Sequence, residues 1–312
     1  MIIVVDRHIP FFTEAVRKQW PDVQIRPMES DEIDALAVRD ADVLVVRTRT
    51  KVNELLLHGT RVQLVCTATI GYDHIDTAYC AQHGIRWVSC PGCNAQAVCD
   101  YIEEALEETN ATGTIGIVGV GHVGSRVAEM AQRRGLRVLL NDPPKGIGCS
   151  LDFIAQNCDI ITFHTPLTHH GDYPTYHLCN ADFLSLCKPG AIIINAARGG
   201  VVDEQALLQS GHPFILDTWE NEPDINQDVL NSALRASMHI AGYSEAGKRN
   251  ATQMCLDAIS SAFNLSQIDL NCLFENSNPK GDVSPGWLER VTNLLKASPE
   301  CFESLRKNYI LR

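Results

Sequence analysis

The stretch Ile115-Gly116-Ile117-Val118-Gly119-Val120-Gly121-His122-Val123-Gly124 decides the fold. It is an apolar strand running into G-x-G-x-x-G at Gly119, Gly121 and Gly124. The three glycines alone are a weak signal, but here they follow a strand and open a helix. In that setting the first glycine makes the tight turn, the second lets the backbone approach a pyrophosphate, and the third packs helix on strand. The helix start adds free N–H groups and a positive dipole end, offered by the backbone of His122 and Val123 among others. Further on, Val138-Leu139-Leu140-Asn141-Asp142 reads as the next strand and ends in an acid eighteen residues beyond Gly124. A carboxylate there accepts hydrogen bonds from ribose hydroxyls and repels a 2′-phosphate, so the pattern favours NAD over NADP.

Outward from this unit, strands and helices keep alternating. Strands are expected over 159–164, 191–195 and 214–217, with helices over 123–134, 180–187 and 203–209. Before it, short strands are expected over 2–6, 43–47, 64–67 and 86–89, with helices over 11–19, 31–38, 53–57 and 75–83. A Gly- and Pro-free helix from about 94 to 108 joins the two blocks. After His239 the pattern turns helical over 248–263, and again over 285–296 and 299–307. Such alternation implies parallel sheets covered on both faces. The chain of 312 residues is long enough for two domains with separate cores.

Composition narrows the function. A net charge of −12 argues against phosphate-backbone binding, so no nucleic acid is expected. No apolar run reaches membrane-spanning length. Met1-Ile2-Ile3-Val4-Val5-Asp6 reads as a buried strand and not as a leader, which makes the cytoplasm the expected location. Twelve cysteines at irregular spacing in a large chain do not form a disulfide framework. Cys90-Pro91-Gly92-Cys93 has the C-x-x-C form but no second ligand pair, so no metal is expected.

Chemistry is carried by three segments, each expected at a strand's carboxyl end, where such sheets bind ligands. Arg198 follows the strand Ala191 to Asn195 beside Gly199 and Gly200, and a guanidinium there can hold a carboxylate by two parallel hydrogen bonds. The strand ending at Asp217 leads into a loop holding Glu220 and Glu222. Then Met238-His239-Ile240-Ala241-Gly242-Tyr243 carries one histidine among apolar residues. A histidine suits proton transfer near neutral pH, and a carboxylate bonded to it would orient the ring and stabilise its charged form.

The order and wording resemble the D-2-hydroxyacid dehydrogenases. The resemblance rests on 46–54 (Val-Arg-Thr-Arg-Thr-Lys-Val-Asn-Glu), 67–76, Pro91-Gly92-Cys93-Asn94-Ala95, Phe163-His164-Thr165-Pro166-Leu167 and His239-Ile240-Ala241-Gly242-Tyr243, and covers roughly residues 1 to 260. It implies an NAD-dependent enzyme with His239 as acid/base, Glu222 as its partner and Arg198 as the substrate-binding cation. It implies substrate contacts at Thr48, Thr69 and Tyr243, and cofactor contacts at Asp142, Thr165, Ala196, Asp217 and Gly242. Within the family the wording points to the branch that oxidises a 4-phosphorylated 2-hydroxy acid in pyridoxal phosphate synthesis. The architecture implied is α/β, two Rossmann-like domains with parallel sheets, the cofactor domain inserted into the substrate domain. Residues 1–93 would start the substrate-binding domain and 94–245 form the NAD-binding domain. Residues 246–312 would return to the first domain and carry a short candidate dimerisation region of a homodimer.

The residues themselves supply a phosphate site: Arg47, Arg49 and Lys51 cluster at a strand end in an otherwise acidic chain, with Lys248 and Arg249 as second candidates. Competing readings are a dehydrogenase of glycerate, glyoxylate or phosphoglycerate, and a non-catalytic NAD-sensing protein.

Overall fold

A computed structural model of the chain describes residues 1–274 and 281–312. The chain forms two compact units, each built from two separate segments: Met1–Asn94 with Ser244–Pro279, and Ala95–Tyr243 with Lys280–Arg312.

The first unit holds a five-stranded sheet of β1 (Ile2–Asp6), β2 (Gln24–Met28), β3 (Val43–Val46), β4 (Leu64–Thr67) and β5 (Arg86–Val88). Its order is β2-β1-β3-β4-β5, and every pairing is parallel. The central strands are continuous apolar runs because both faces are covered. One face is closed by the helix Glu245–Phe263, whose Ala251, Cys255, Leu256 and Ile259 pack with Ile3, Val5, Val43 and Cys66. Each large aliphatic side chain moved from water in this way contributes roughly 1.5–3 kcal/mol. Ser244 caps that helix by accepting from the Gly247 N–H at 3.0 Å, and Asn264 ends it in the left-handed region.

One local expectation fails here, and one strand lies where none was expected. Residues 31–38 form turns, not a helix: one helical bond joins the Val38 N–H to the Asp34 carbonyl, and the Asp34 side chain accepts from Ala37 instead. This acidic segment prefers local side-chain bonds to the backbone. Conversely β2 had no sequence signal because it contains Pro27, which is tolerated at the sheet's edge.

The second unit holds a seven-stranded sheet of β6 (Thr114–Val118), β7 (Arg137–Asp142), β8 (Ile147–Gly148), β9 (Ile160–Phe163), β10 (Ile192–Asn195), β11 (Phe214–Leu216) and β12 (Arg235–Ala236). The order is β12-β11-β10-β9-β6-β7-β8, parallel except for the antiparallel β7–β8 edge. The chain leaves β6 toward one edge and returns at β9 on its other side. The loops after β6 and β9 therefore flank the point where strand order reverses, the ligand position of such sheets.

The assignment of all of 246–312 to the first unit is corrected. Residues 280–312 belong to the second. Helix Trp287–Ala297 buries Trp287, Leu288 and Leu295 in the second core, with Trp287 edge-on to Tyr101. Glu108 accepts from the Leu288 and Glu289 N–H groups at 2.9 and 3.1 Å, placing an anion at the helix start. The Thr292 hydroxyl bonds both the N–H and the carbonyl of Ala236, which closes the open side of edge strand β12.

Candidate active site

The glycine-rich loop has the geometry its spacing predicts. Gly119 has φ 93°, and a Cβ there would sit 2.8 Å from the His164 carbonyl carbon and oxygen. A Cβ on Gly124 would overlap the Gly119 carbonyl, so helix and strand meet only because the residue is glycine. Gly121 caps the helix His122–Arg133, with His122 and Val123 in its first turn. Asp142 ends β7, and its Oδ2 accepts from the Val120 N–H at 2.9 Å, bracing the loop. Lys145 braces the same loop by donating to the Val120 carbonyl at 2.7 Å.

Thr165 follows β9 with its methyl 3.0 Å from where a Gly119 Cβ would stand, and its buried hydroxyl has no hydrogen-bond partner among the described residues. A buried orphan hydroxyl beside a glycine cradle fits a missing polar ligand. Beside it, burial drives His164 down to about 3, so that ring stays neutral. Replacing Asp142 with Ala is expected to weaken NAD binding roughly tenfold and to improve NADP relative to NAD by ten- to a hundredfold. Fluorescence titrations with both nucleotides check this; equal losses for the two would leave the carboxylate only a loop brace.

The fold brings the side chains of His239 and Glu222 together. His239 Nδ1 and Glu222 Oε2 are 2.9 Å apart. Glu222 also accepts from the Trp219 N–H at 2.9 Å. Burial pushes its carboxyl up, but the hydrogen bond and charge of His239, the Trp219 N–H and the charge of Arg306 outweigh that and hold it below the ordinary value. The His239 side chain is 37% exposed, and its Nε2 makes no hydrogen bond among the described residues. His239 sits at φ 58°, in the left-handed region.

The local backbone is held there by Asp217, which is 1% exposed. Its Oδ1 accepts from Ser237 Oγ at 2.6 Å and the Ile240 N–H at 2.7 Å, and its Oδ2 from the Ala241 N–H at 3.0 Å. Its own carbonyl accepts from the His239 N–H at 2.8 Å. The sequence reading put Asp217 against the cofactor; here its carboxylate is occupied in shaping the histidine loop. Gly242 and Tyr243 continue that loop.

Arg198 lies past the end of β10, half-buried, and its guanidinium donates to the Ala197 carbonyl at 2.8 Å. Asn195 shapes this turn by donating to the Arg198 carbonyl and accepting from the Ala197 N–H, with Ala196 enclosed between them. A Cβ on Gly199 would overlap the Trp219 carbonyl, so the arginine loop packs directly on the loop that carries Glu222.

The remaining candidates lie in the first unit. Arg47 Nε donates to Asp6 Oδ2 at 2.9 Å. Burial raises the Asp6 carboxyl, and bonds from Arg47, Ser30 and the His8 N–H bring it net below the ordinary value. Burial of its ammonium group and the like charge of Arg47 hold Lys248 below the usual lysine range. Thr48, Arg49 and Lys51 are exposed. Thr69 Oγ1 bonds the Thr67 hydroxyl at 2.7 Å, which in turn meets His74 Nε2 at 3.0 Å. Arg249, the other second candidate, is buried over the Phe11 ring and donates to the carbonyls of Leu270 and Phe274. Cys90 is packed in the core, its thiol on the carbonyls of Thr67 and Ala251 and against Cys255, and burial drives Cys93 up to about 12.

Two arginines went unnoticed in the sequence. Arg306 approaches Glu222 and Tyr243. Arg312, stacked over Trp287, donates to the Ala241 and Ile240 carbonyls at 2.6 and 3.3 Å. No motif marks either one.

With this geometry in hand, comparison with known proteins is specific. A family model described as "D-isomer specific 2-hydroxyacid dehydrogenase, NAD binding domain" matches residues 96–253. The chain belongs to the D-isomer-specific 2-hydroxyacid dehydrogenase family, and it is an NAD-dependent dehydrogenase. Relatives named erythronate-4-phosphate dehydrogenase align along it: that of Bacteroides fragilis is 41% identical over 100% of this chain and 97% of its own, and that of Porphyromonas gingivalis 39% over 99% and 92%. The likeness thus extends past the expected limit near residue 260. Among solved structures, NAD-bound 3-phosphoglycerate dehydrogenase from Entamoeba histolytica shares the fold with a TM-score of 0.71 at 24% identity, covering 87% of this chain and 98% of that one. D-lactate dehydrogenase from Aquifex aeolicus, complexed with NAD and lactic acid, gives 0.65 at 24%, covering 85% and 96%. No helix among the described residues is long and apolar enough to cross a membrane.

Proposed function

We propose that the chain oxidises 4-phospho-D-erythronate to 2-oxo-3-hydroxy-4-phosphobutanoate with NAD, a step of pyridoxal 5′-phosphate biosynthesis in the cytoplasm. The observation that carries the chemistry is the 2.9 Å contact between His239 Nδ1 and Glu222, which leaves Nε2 to face a substrate hydroxyl. Bound NAD supplies the hydride acceptor. Neutral His239 takes the hydroxyl proton at Nε2 as the C2 hydrogen departs with its electron pair. Glu222 stabilises the resulting imidazolium, and Arg198 holds the carboxylate and polarises the new C2 carbonyl. We assign Thr48, Thr69 and Tyr243 to the substrate's hydroxyl and carboxylate groups. Thr165, Ala196, Gly242 and the glycine loop serve the nucleotide, and Asp217 serves it through the loop it shapes.

The substrate choice is supported by the name carried by the relatives and by the positive pair Arg47 and Lys248, to which we assign the 4-phosphate, with Arg49 and Lys51 flanking it. A homodimer is part of the same reading and is checked by sedimentation velocity.

The test is NADH formation from 4-phospho-D-erythronate, D-glycerate and 3-phosphoglycerate, with product followed in a parallel assay containing a 2-oxo acid acceptor. Turnover of the first acid alone is expected. Turnover of only the others would keep the family and discard the substrate; NAD binding without any turnover would favour a nucleotide sensor. Lys248→Met is expected to raise KM for the phosphorylated acid roughly ten- to a hundredfold, at unchanged NAD affinity. Lys248 is the cleaner probe, because removing Arg47 would leave the buried Asp6 carboxylate without its counter-charge.

A further inference from the structure

The Glu222 oxygen that meets His239 has a second positive neighbour. His239 Nδ1 is 2.9 Å from Glu222 Oε2, and Arg306 Nη1 is 3.6 Å from the same atom. Arg306 stands on the helix Phe302–Asn308, in the segment that returns to the second unit after residue 280. Its Nε donates to the Tyr243 hydroxyl at 3.2 Å, and its Nη1 lies 3.6 Å from Glu303 Oε2 one turn earlier. Its side chain is 26% exposed, so its charge is only partly screened. A guanidinium keeps its proton throughout the accessible pH range.

We propose that Arg306 is a positioning residue of the dehydrogenase reaction, sharing the Glu222 carboxylate with His239 and thereby setting how readily the imidazole gives and takes its proton. The inference rests on the acid–base reading of His239 given above. A carboxylate facing a lone imidazole favours the protonated ring. A fixed cation on the same oxygen draws on the same negative charge and repels the protonated ring, so the neutral, proton-accepting form gains. The oxidation of a hydroxyl needs that form.

The charged and titratable groups around the pair act in both directions. Glu303 offsets part of the Arg306 charge but is itself 48% exposed. Glu204, whose carboxyl burial drives up to about 7, has Glu222 among the anions that raise it further, so it stands within the carboxylate's field. Tyr243 faces Arg306 through its hydroxyl. Asp217 and Arg312 hold opposite polarities of the histidine loop's backbone, the first accepting from the N–H groups of Ile240 and Ala241 and the second donating to their carbonyls. With the loop fixed by those two residues, the effect of Arg306 on the ring is mainly one of charge.

Arg306→Gln and Arg306→Lys in the full chain separate this from a role in folding alone. In the pH profile of kcat/KM for oxidation, Arg306→Gln is expected to move the acidic limb upward by roughly half to one pH unit. Arg306→Lys is expected to restore most of the shift, because it keeps the charge. A profile lowered evenly at all pH values, with its limb in the wild-type place, would overturn the proposal. So would a limb that Lys fails to restore. A second readout needs no substrate: the histidine ring resonances of the full chain, assigned with His239→Asn, are followed by NMR against pH. The His239 titration is expected to move upward in Arg306→Gln, and no movement would overturn the inference. If the wild type oxidises none of the acids offered, the substrate reading fails while the NMR titration still decides on Arg306.

Discussion

His239→Ala is expected to lower kcat by roughly 10²–10⁴-fold at unchanged NAD affinity, because it removes the proton acceptor that Glu222 holds by hydrogen bond while leaving the nucleotide loop intact. Single-turnover NADH absorbance and a separate nucleotide titration give the two quantities. The position has φ 58°, where alanine is strained and asparagine is not. His239→Asn is therefore the companion variant: it tolerates that backbone and still lacks the base. Loss of turnover in both variants assigns the effect to chemistry; wild-type kcat in either would remove His239 from the mechanism. Glu222→Gln should cost less, since it keeps a hydrogen-bond acceptor for Nδ1 and loses only the charge that stabilises the imidazolium.

Asp217→Ala is expected to be among the most destabilising single changes, costing about 3–5 kcal/mol. The carboxylate is buried and serves three donors at once: the Ser237 hydroxyl and the Ile240 and Ala241 N–H groups. Ser237 keeps a partner in Tyr101, at 2.9 Å, but the two peptide N–H groups would be stranded. Urea unfolding of the full chain, together with kcat at a temperature where the variant is folded, measures the loss of stability and the disorder of the histidine loop. An unfolding midpoint equal to that of the wild type would show that water or a rearranged loop satisfies those groups. Asp217→Asn should fall between, since its amide accepts from one side but presents N–H to the other.

The parts of the site that were legible in the sequence are those set by short-range constraints. The glycine loop and Asp142 are read from one strand, one turn and the next strand. His239 and Glu222 are separated by only seventeen residues and both leave strand ends on one side of the sheet. What escaped depends on long-range packing. Arg306 reaches Tyr243 across sixty-three residues, and Arg312 reaches Ala241 across seventy-one, through short helices whose sequence carries no pattern beyond amphipathicity. The bonds of Asp217 to Ser237, Ile240 and Ala241 were not legible, because a carboxylate that follows a strand can as well face a ligand as its own chain. Residues 31–38 and β2 failed for opposite reasons. In the first, acidic side chains took over backbone N–H groups that a helix would have used. In the second, Pro27 masked a strand that needs no donor at the sheet's edge.

The interleaved segments have a consequence for synthesis. The first core lacks the helix Glu245–Phe263 until the whole sheet of the second unit has been made, and the second core lacks Trp287, Leu288 and Leu295 until the final helices emerge. The first unit therefore cannot complete its folding on the ribosome before most of the second has been made, unlike the leading member of a pair of tandem domains. During translation both sheets exist with an uncovered apolar face, and the closing contacts of each span long loops of chain. The same late segment that closes the second core with Trp287, Leu288 and Leu295 also brings Arg306 to the Glu222 carboxylate.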